Sequence, residues 1–110
     1  MKQVLGNLSD MKHLETKEVT IYQNGQIVPI FLVRESSEIF AYANSCPHTG
    51  APLNWIPDIF LDMSKKTIQC ANHDAHFRIQ DGKCISGPCV NQGLKSIEIS
   101  IVDNDIIFEE

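Results

Sequence analysis

The chain has 110 residues, which suffices for one domain with one modest hydrophobic core. Its formal net charge of -5 argues against nucleic acid as a partner, because phosphate binding needs a basic surface. The opening MKQVLGNLSDMKHLE lacks the apolar run of a signal peptide, and no stretch approaches the length of a membrane span. We therefore expect a single domain over residues 1–110, acting as a cytoplasmic monomer without membrane contact.

The first half of the sequence predicts β-strands after a weakly helical piece at residues 8–15. Residues 18–35, EVTIYQNGQIVPIFLVRE, form two apolar and β-branched runs around Asn24-Gly25. Asn-Gly between two such runs is a strong hairpin signal. EIFAYAN, residues 38–44, predicts the next strand. These patterns favour an all-β fold.

The second half continues in the same way after an irregular stretch at residues 49–66. KTIQC and AHFRI, residues 66–70 and 75–79, predict two strands, and Asp81-Gly82 predicts a turn into KCIS. LKSIEISIV, residues 94–102, alternates apolar and polar residues and predicts one long strand with one apolar face. DND then turns the chain into a closing strand, IIFEE.

Two short motifs each combine one cysteine with one histidine. They are Cys46-x-His48 and Cys70-x-x-His73, and residues 49–69 separate them. In a reducing compartment, cysteines suggest metal or redox chemistry before disulfides. Tetrahedral zinc accepts two thiolates and two imidazoles, but a common zinc finger takes both cysteines from one half. A two-iron, two-sulfide cluster with two thiolates on one iron and two imidazoles on the other explains the mixed halves.

The sequence around these motifs resembles the Rieske family. CPHTGAPL and CANHDAHFRIQDGKCISGP are similar to its two cluster-binding boxes, and the resemblance covers about residues 17–101. It implies one [2Fe-2S] cluster per chain, with Cys46 and Cys70 on one iron and His48 and His73 on the other. It also implies a Rieske-type antiparallel β-sandwich with a small cluster-binding subdomain at about residues 45–90. Gly87-Pro88 is similar to the proline loop that covers the cluster.

Two differences from the respiratory members of that family indicate which branch of the family the chain resembles. Ala51 and Asn72 stand where those members carry the two cysteines of a disulfide. Ala75 and Phe77 stand where they carry a serine and a tyrosine that donate hydrogen bonds to sulfur. Such bonds stabilise the reduced cluster, so their loss lowers the reduction potential. The resemblance is therefore to the low-potential, ferredoxin-like branch.

The segment between the two boxes, NWIPDIFLDMSKK at residues 54–66, is longer than is usual in the family. We expect an exposed loop whose apolar residues pack over the sheet, and a docking patch for a partner is the alternative. The apolar residues concerned are Trp55, Ile56, Ile59 and Phe60.

The remaining cysteines and histidines are interpreted as structural or solvent-exposed residues. We expect Cys84 and Cys89 to be small core side chains, because their spacing is not that of a Cys-x-x-Cys redox pair. We expect His76 to be partly exposed and not a ligand, and His13 to be solvated.

These features predict a soluble one-electron carrier, a Rieske ferredoxin that passes electrons from a reductase to an oxygenase or other redox partner. We expect no catalytic residues and no enzyme activity by the chain alone, because it lacks a Gly-rich dinucleotide loop and room for a mononuclear iron domain. One alternative is the small subunit of a nitrite-reductase-like oxidoreductase. The other, from a different class, is a structural zinc site in an interaction module.

Overall fold

A computed structural model describes residues 2–47, 52–54, 58–70, 75–87 and 92–110. Within these ranges the regular structure is β, apart from one 3-10 turn at Leu8–Asp10. The strands are β1 Lys2–Asn7, β2 Thr16–Gln23, β3 Gln26–Glu35, β4 Glu38–Ala43, β5 Thr67–Gln69, β6 His76–Arg78, β7 Cys84–Ser86, β8 Ser100–Val102 and β9 Asp105–Glu109. The strands pair antiparallel in three three-stranded sheets, ordered β1-β9-β8, β2-β3-β4 and β5-β6-β7. The all-β, antiparallel expectation is confirmed.

The central sheet, β2-β3-β4, begins with the predicted hairpin. β2 and β3 pair without interruption from Thr16 and Val33 to Gln23 and Gln26. Asn24 and Gly25 between them both have positive φ, 54° and 76°. Two successive left-handed residues make the type I′ turn whose twist matches that of the flanking strands. The Asn-Gly dipeptide therefore fixes the register of the longest strand pair.

One hydrophobic core lies on each face of this central sheet, because side chains alternate along a strand. On β3, Phe31 and Val33 belong to one core, and Ile30 and Leu32 belong to the other. We call the first the loop-side core: Phe31, Val33, Tyr42, Cys46, Leu53, Phe60, Ile68, Cys70, Ala75, Phe77, Ile79, Cys84 and Leu94. The second is the base core: Met11, Ile21, Ile30, Leu32, Ala41, Ile97, Ile106 and Phe108.

The sheet β5-β6-β7 contributes to the loop-side core. Ile68, Phe77 and Cys84 are buried and paired across its three strands. Residues 60–62 extend this sheet beyond β5, because the N–H of Gln69 donates to the carbonyl of Phe60 and the N–H of Asp62 donates to that of Thr67. The end of the long segment between the boxes is therefore attached to β5.

The predicted single strand over residues 94–102 is wrong for most of its length. Only Ser100–Val102 form a strand, and Ile101 is 40% exposed rather than buried with the others. Leu94 enters the loop-side core and Ile97 enters the base core. Before β8, Ser96 forms an isolated bridge with Tyr42 rather than part of a continuous ladder, so this stretch is not a strand.

The N-terminal prediction also needs correction. The weak helix expected at residues 8–15 is a single 3-10 turn at Leu8–Asp10, with the Asn7 side chain accepting from the N–H of Ser9 at its start. The preceding strand β1, which pairs with β9, was not predicted. No helix in the described ranges is long and apolar enough to cross a membrane.

Candidate metal centre

The first Cys/His pair follows strand β4. β4 ends at Ala43, and Cys46 lies three residues beyond it with only 1% of its surface exposed. The loop from 45 to 52 is closed at its base by a side chain, because Asn44 Oδ1 accepts from the N–H of Leu53 at 2.8 Å. Leu53 is fully buried. The loop that carries Cys46 therefore begins and ends at anchored residues.

The second pair lies on the connection between β5 and β6. Cys70 follows β5 directly and is fully buried. Its N–H donates to the carbonyl of Ala75 at 2.8 Å, just outside the Gln69–His76 pair of the hairpin. The β5–β6 hairpin is therefore paired as far as Cys70 and Ala75, the described residues on either side of the predicted ligand His73 in the chain.

The structure brings the two predicted cysteine ligands into one hydrophobic cluster. Cys46 and Cys70 both belong to the loop-side core. His48 and His73 lie outside the described residues, and the described residues alone contain no group of three or more Cys, His, Asp or Glu side chains placed to hold a metal ion. Two of the four predicted ligands are thus located, and the other two remain predictions.

The residues present fit a cluster held by thiolates and imidazoles. Cys46 and Cys70 are enclosed by apolar side chains, whereas a zinc or iron–sulfur site needs ionised thiolates. Burial in such surroundings opposes a charged thiolate without a cation. A metal group bound to both cysteines would stabilise the thiolate form. The two buried cysteines are therefore compatible with a metal centre beside the loop-side core.

The two positions at which respiratory Rieske proteins carry a serine and a tyrosine are buried in this chain. Ala75 and Phe77 are both fully buried in the loop-side core, next to the loop that carries Cys70. Neither side chain can donate a hydrogen bond. Phe77 pairs with Ile68 on one side and Cys84 on the other. This part of the site is therefore apolar, as the sequence indicated.

His76 lies on the outer face of the same hairpin. It is half-buried, as expected, and its Nδ1 lies 2.8 Å from Thr67 Oγ1 and 4.0 Å from Asp62 Oδ2. Burial opposes ionisation of Asp62, but hydrogen bonds from Ser64, Thr67 and Lys66 outweigh it and lower the pKa of Asp62. An ionised Asp62 thereby fixes the turn before β5.

The other cysteines and histidines fall where the sequence placed them, as far as the described residues extend. Cys84 is buried, and its thiol donates to the carbonyl of Ser86 at 3.4 Å, as expected of a core side chain. His13 is exposed, and its Nδ1 accepts from the N–H of Ser36. Cys89 and Pro88 lie outside the described residues, and the preceding Gly87 has a φ of 100°.

Residues of the long segment divide between core and surface. Phe60 is 1% exposed and stacks on Phe31, with ring centroids 4.2 Å apart and planes 8° apart. The prediction that this segment packs over the sheet is confirmed at Phe60. The prediction is wrong at Ile59, which is 56% exposed, and Met63 is fully exposed. Trp55 and Ile56 lie outside the described residues, so their part of the prediction stays open.

Asn44 was missed in the sequence. It is 6% exposed and is the only buried amide or charged side chain in the part of the chain that the structure describes. Its Nδ2 donates to Asn54 Oδ1 at 3.0 Å, and Asn54 Nδ2 donates to Glu18 Oε2 at 3.3 Å. An asparagine after a strand is usually read as a turn residue, so no sequence signal distinguishes this buried one.

Comparison with known proteins agrees with this geometry. The family model of the Rieske [2Fe-2S] domain matches residues 1–101. The chain belongs to the Rieske [2Fe-2S] domain family. The cofactor expected from the sequence, a [2Fe-2S] cluster, is the one that this family binds. No curated protein is similar enough in sequence to count as a relative.

Solved structures share the Rieske fold over essentially the whole chain. The ferredoxin of carbazole 1,9a-dioxygenase from Nocardioides aromaticivorans IC177 is 17% identical, with a TM-score of 0.73 over 100% of this chain and 99% of that one. A chain in the complex of reduced oxygenase and oxidized ferredoxin in carbazole 1,9a-dioxygenase is 21% identical, with a TM-score of 0.73 over 96% and 90%. A protein described as the small subunit of an NADPH nitrite reductase is 19% identical, with a TM-score of 0.67 over 100% and 99%. At these identities the likeness shows the fold.

Proposed function

We propose that this Rieske domain is a one-electron carrier, a ferredoxin that passes electrons to an oxygenase or another redox partner. The observation that carries the proposal is the pair of anchored loops. Each loop follows a paired strand, and each contributes one buried thiol to the same core. A fixed pair of loops suits electron transfer, because little structural change then accompanies a change of charge.

The proposed ligands are Cys46 and Cys70 on one iron and His48 and His73 on the other. When bound, the cluster supplies a site that accepts and returns a single electron. The role of the chain is to hold the four ligand side chains and exclude water from the thiolate side. Cys46 and Cys70 are buried beside Ala75 and Phe77, which meets that second requirement. The imidazoles would form the more accessible side of the centre.

The proposed partner follows from the ferredoxins that share the fold. One of them belongs to a dioxygenase, and another is found in complex with an oxygenase. We infer that the loops carrying the cluster face the partner and that the chain alone transforms no substrate. The second candidate is the small subunit of a nitrite-reductase-like enzyme, which the third solved structure favours. Copurification with a large reductase subunit, rather than exchange with a separate oxygenase, would identify that case.

We also propose a cytoplasmic location and a single-domain organisation. Ligand thiols persist where the surroundings are reducing, which favours the cytoplasm over an oxidising compartment. Residues 1–110 would form one domain, in which about 45–90 form the cluster-binding subdomain. The loop-side core supports this division, since most of its members lie between Cys46 and Cys84.

Electron paramagnetic resonance of anaerobically purified, dithionite-reduced protein tests the proposal. We expect a red-brown protein with iron and sulfide and a rhombic signal of low average g-value, as histidine ligation of one iron produces. A colourless protein with stoichiometric zinc and no such signal would instead establish the structural zinc site and refute the carrier.

Two cysteine variants make the test specific to the proposed ligands. Cys46→Ser removes a ligand and should abolish the signal. Cys84→Ser changes a buried cysteine in the same core that is not a proposed ligand, and its hydroxyl can still donate to the carbonyl of Ser86. It should keep the signal. Loss in both variants would mean that the core, and not the ligand, had been disrupted.

A further inference from the structure

Asn44 is a buried polar side chain at the end of the central sheet. Burying an amide is unfavourable unless its hydrogen bonds are made inside the protein. Asn44 makes them on both sides, because Oδ1 accepts from the N–H of Leu53 and Nδ2 donates to Asn54. Its own backbone N–H donates to the carbonyl of Pro29 on β3. The residue is therefore fixed to the central sheet and to the far end of the loop at once.

The bond to Leu53 spans the whole first loop. Residues 45–52 lie between its two ends, and they include Cys46 and His48. Leu53 itself is fully buried in the loop-side core. A loop whose two ends are held together loses much of its conformational freedom before any ligand binds, which reduces the entropy lost on binding.

Further hydrogen bonds connect Asn44 and the residues after Leu53 to strand β2. Glu18 accepts from Asn54 Nδ2 through Oε2, and its Oε1 lies 3.5 Å from Asn44 Nδ2. The backbone N–H of Glu18 donates to Asp58 Oδ1 at 2.7 Å. The edge strand of the central sheet thus holds the segment that leaves the loop. Three side chains, Asn44, Asn54 and Glu18, form one connected network.

We propose that Asn44 is a positioning residue: its side chain closes the loop that carries Cys46 and His48 and so controls how firmly this loop retains the cluster. The second half of this statement rests on the proposed function. In this role Asn44 neither binds the cluster nor contacts a redox partner. It acts through the geometry of the loop.

Asn44→Leu tests the proposal, because leucine has the branched shape of asparagine but no acceptor for the Leu53 N–H. Two readouts are followed, namely the rate at which a chelator removes the visible absorbance of the cluster and the deuterium exchange of peptides covering 44–54. We expect cluster loss about tenfold faster and increased exchange in the loop, because a buried donor is left without a partner. The midpoint potential should shift as well, a change that lower global stability alone would not produce.

Asn7→Ala is the matched control. Asn7 Oδ1 also accepts a backbone N–H, that of Ser9, but at the start of the 3-10 turn that follows β1 in a different sheet. This variant should lower the free energy of unfolding and leave cluster loss and potential unchanged. Asn44→Asp keeps an acceptor for Leu53 but removes the donor to Asn54 and places a second carboxylate beside Glu18, so it should restore only part of the protection of the loop. Asn44→Ser, whose side chain is too short to reach Leu53, replaces Asn44→Leu if that variant does not fold.

The outcomes separate this proposal from the carrier function. If Asn44→Leu behaves like Asn7→Ala in cluster loss, potential and exchange, the proposal is wrong and the carrier function stands. If the wild-type protein has no iron–sulfur signal, the carrier function is wrong, and exchange decides whether Asn44 closes the loop. Unchanged exchange in Asn44→Leu would then overturn the loop closure too.

Discussion

The hydroxyl of Tyr42 is a buried polar group in the loop-side core. It donates to the carbonyl of Ile79, and 2% of the residue is exposed. Burial, together with the negative charges of Asp81 and Glu35, raises the pKa of Tyr42 to about 12. The folded protein therefore keeps a neutral phenol at a pH at which the unfolded chain has begun to ionise.

This raised pKa predicts an alkaline loss of stability. The contribution of Tyr42 is fully present below its ordinary pKa of 10.0 and is lost as the pH rises towards about 12. Over that range the free energy of unfolding should fall with a slope approaching about 1.4 kcal/mol per pH unit. Denaturant titrations from neutral to alkaline pH measure this slope.

Two phenylalanine variants isolate the Tyr42 contribution. Tyr42→Phe should cost about 1 kcal/mol at neutral pH through loss of the hydrogen bond, and its alkaline slope should be shallower. Tyr22→Phe changes an exposed ring and should keep the wild-type slope. Equal slopes in wild type and Tyr42→Phe would show that another group causes the loss.

Ala75 offers a test of the low-potential assignment. It is buried beside Cys70, whose N–H donates to its carbonyl, and it stands where a serine would donate to sulfur in respiratory Rieske proteins. Ala75→Ser should raise the midpoint potential, since a new donor favours the more negative reduced state. A differential hydrogen-bond energy of about 1 kcal/mol corresponds to about 40 mV for one electron.

Redox titration of the purified variants measures this shift. Ala41→Ser is the control, because Ala41 is equally small and buried but belongs to the base core. Its potential should equal that of the wild type. A strongly positive midpoint in the wild type itself would contradict the low-potential assignment.

At the scale of elements, an aromatic side chain packs the long segment between the boxes onto the central sheet. Phe60 stacks on Phe31 of β3, while its neighbour Ile59 is mostly exposed. Phe60→Ala should lower the free energy of unfolding by about 3 kcal/mol, because it removes a buried ring and leaves a cavity. Ile59→Ala should change it by less than about 0.5 kcal/mol. Urea unfolding of both variants measures the difference.

The same pair of variants decides between packing and docking for this segment. If Ile59→Ala leaves stability intact but weakens binding to a redox partner, the segment also contributes to a docking patch. If Phe60→Ala costs no more than Ile59→Ala, the stacked ring does not hold the segment.

Local chemistry explains which elements could be predicted from the sequence. The Asn24-Gly25 turn and the strands beside it were predictable, because two left-handed residues between β-branched runs specify a type I′ hairpin. The Asp103 and Asn104 turn before β9 is also left-handed at both residues, with φ of 51° and 68°. Each of these elements is encoded by residues close together in the chain.

The elements that could not be predicted depend on distant contacts. Leu94 and Ile97 lie in a stretch with the composition of a strand, yet the backbone there hydrogen-bonds to two different neighbours rather than along one strand. The N–H of Leu94 donates to the carbonyl of Gly82, and that of Ile97 donates to the carbonyl of Ala41. For the same reason the Cys/His motifs predict Cys46 and Cys70 as ligands from neighbouring residues, whereas Asn44 could not be singled out, because its hydrogen bonds depend on Leu53 and Asn54 coming close to it.

At the scale of the whole molecule, the central sheet separates the proposed redox end from the rest. Cys46, Cys70 and the sheet β5-β6-β7 contribute to the core on one face of β3, and the sheet β1-β9-β8 contributes Ile106 and Phe108 to the core on its other face. A partner that receives electrons at the loops need not contact the β8–β9 hairpin. The acidic residues of that hairpin, among them Asp103 and Glu109, then act as solvated surface charges.

This separation, together with a net charge of -5, predicts how binding depends on salt. A basic partner surface should attract the protein over roughly one Debye length, about 8 Å at physiological ionic strength, so association should weaken and slow as salt rises. Stopped-flow electron transfer to the isolated partner at several salt concentrations measures the effect.

Asp103→Asn and Glu109→Gln remove charge far from the loops and should leave the rate at low salt nearly unchanged. A rate independent of salt would show that the docking surface does not depend on charge, and a large loss in the two hairpin variants would move the docking surface to the β8–β9 end.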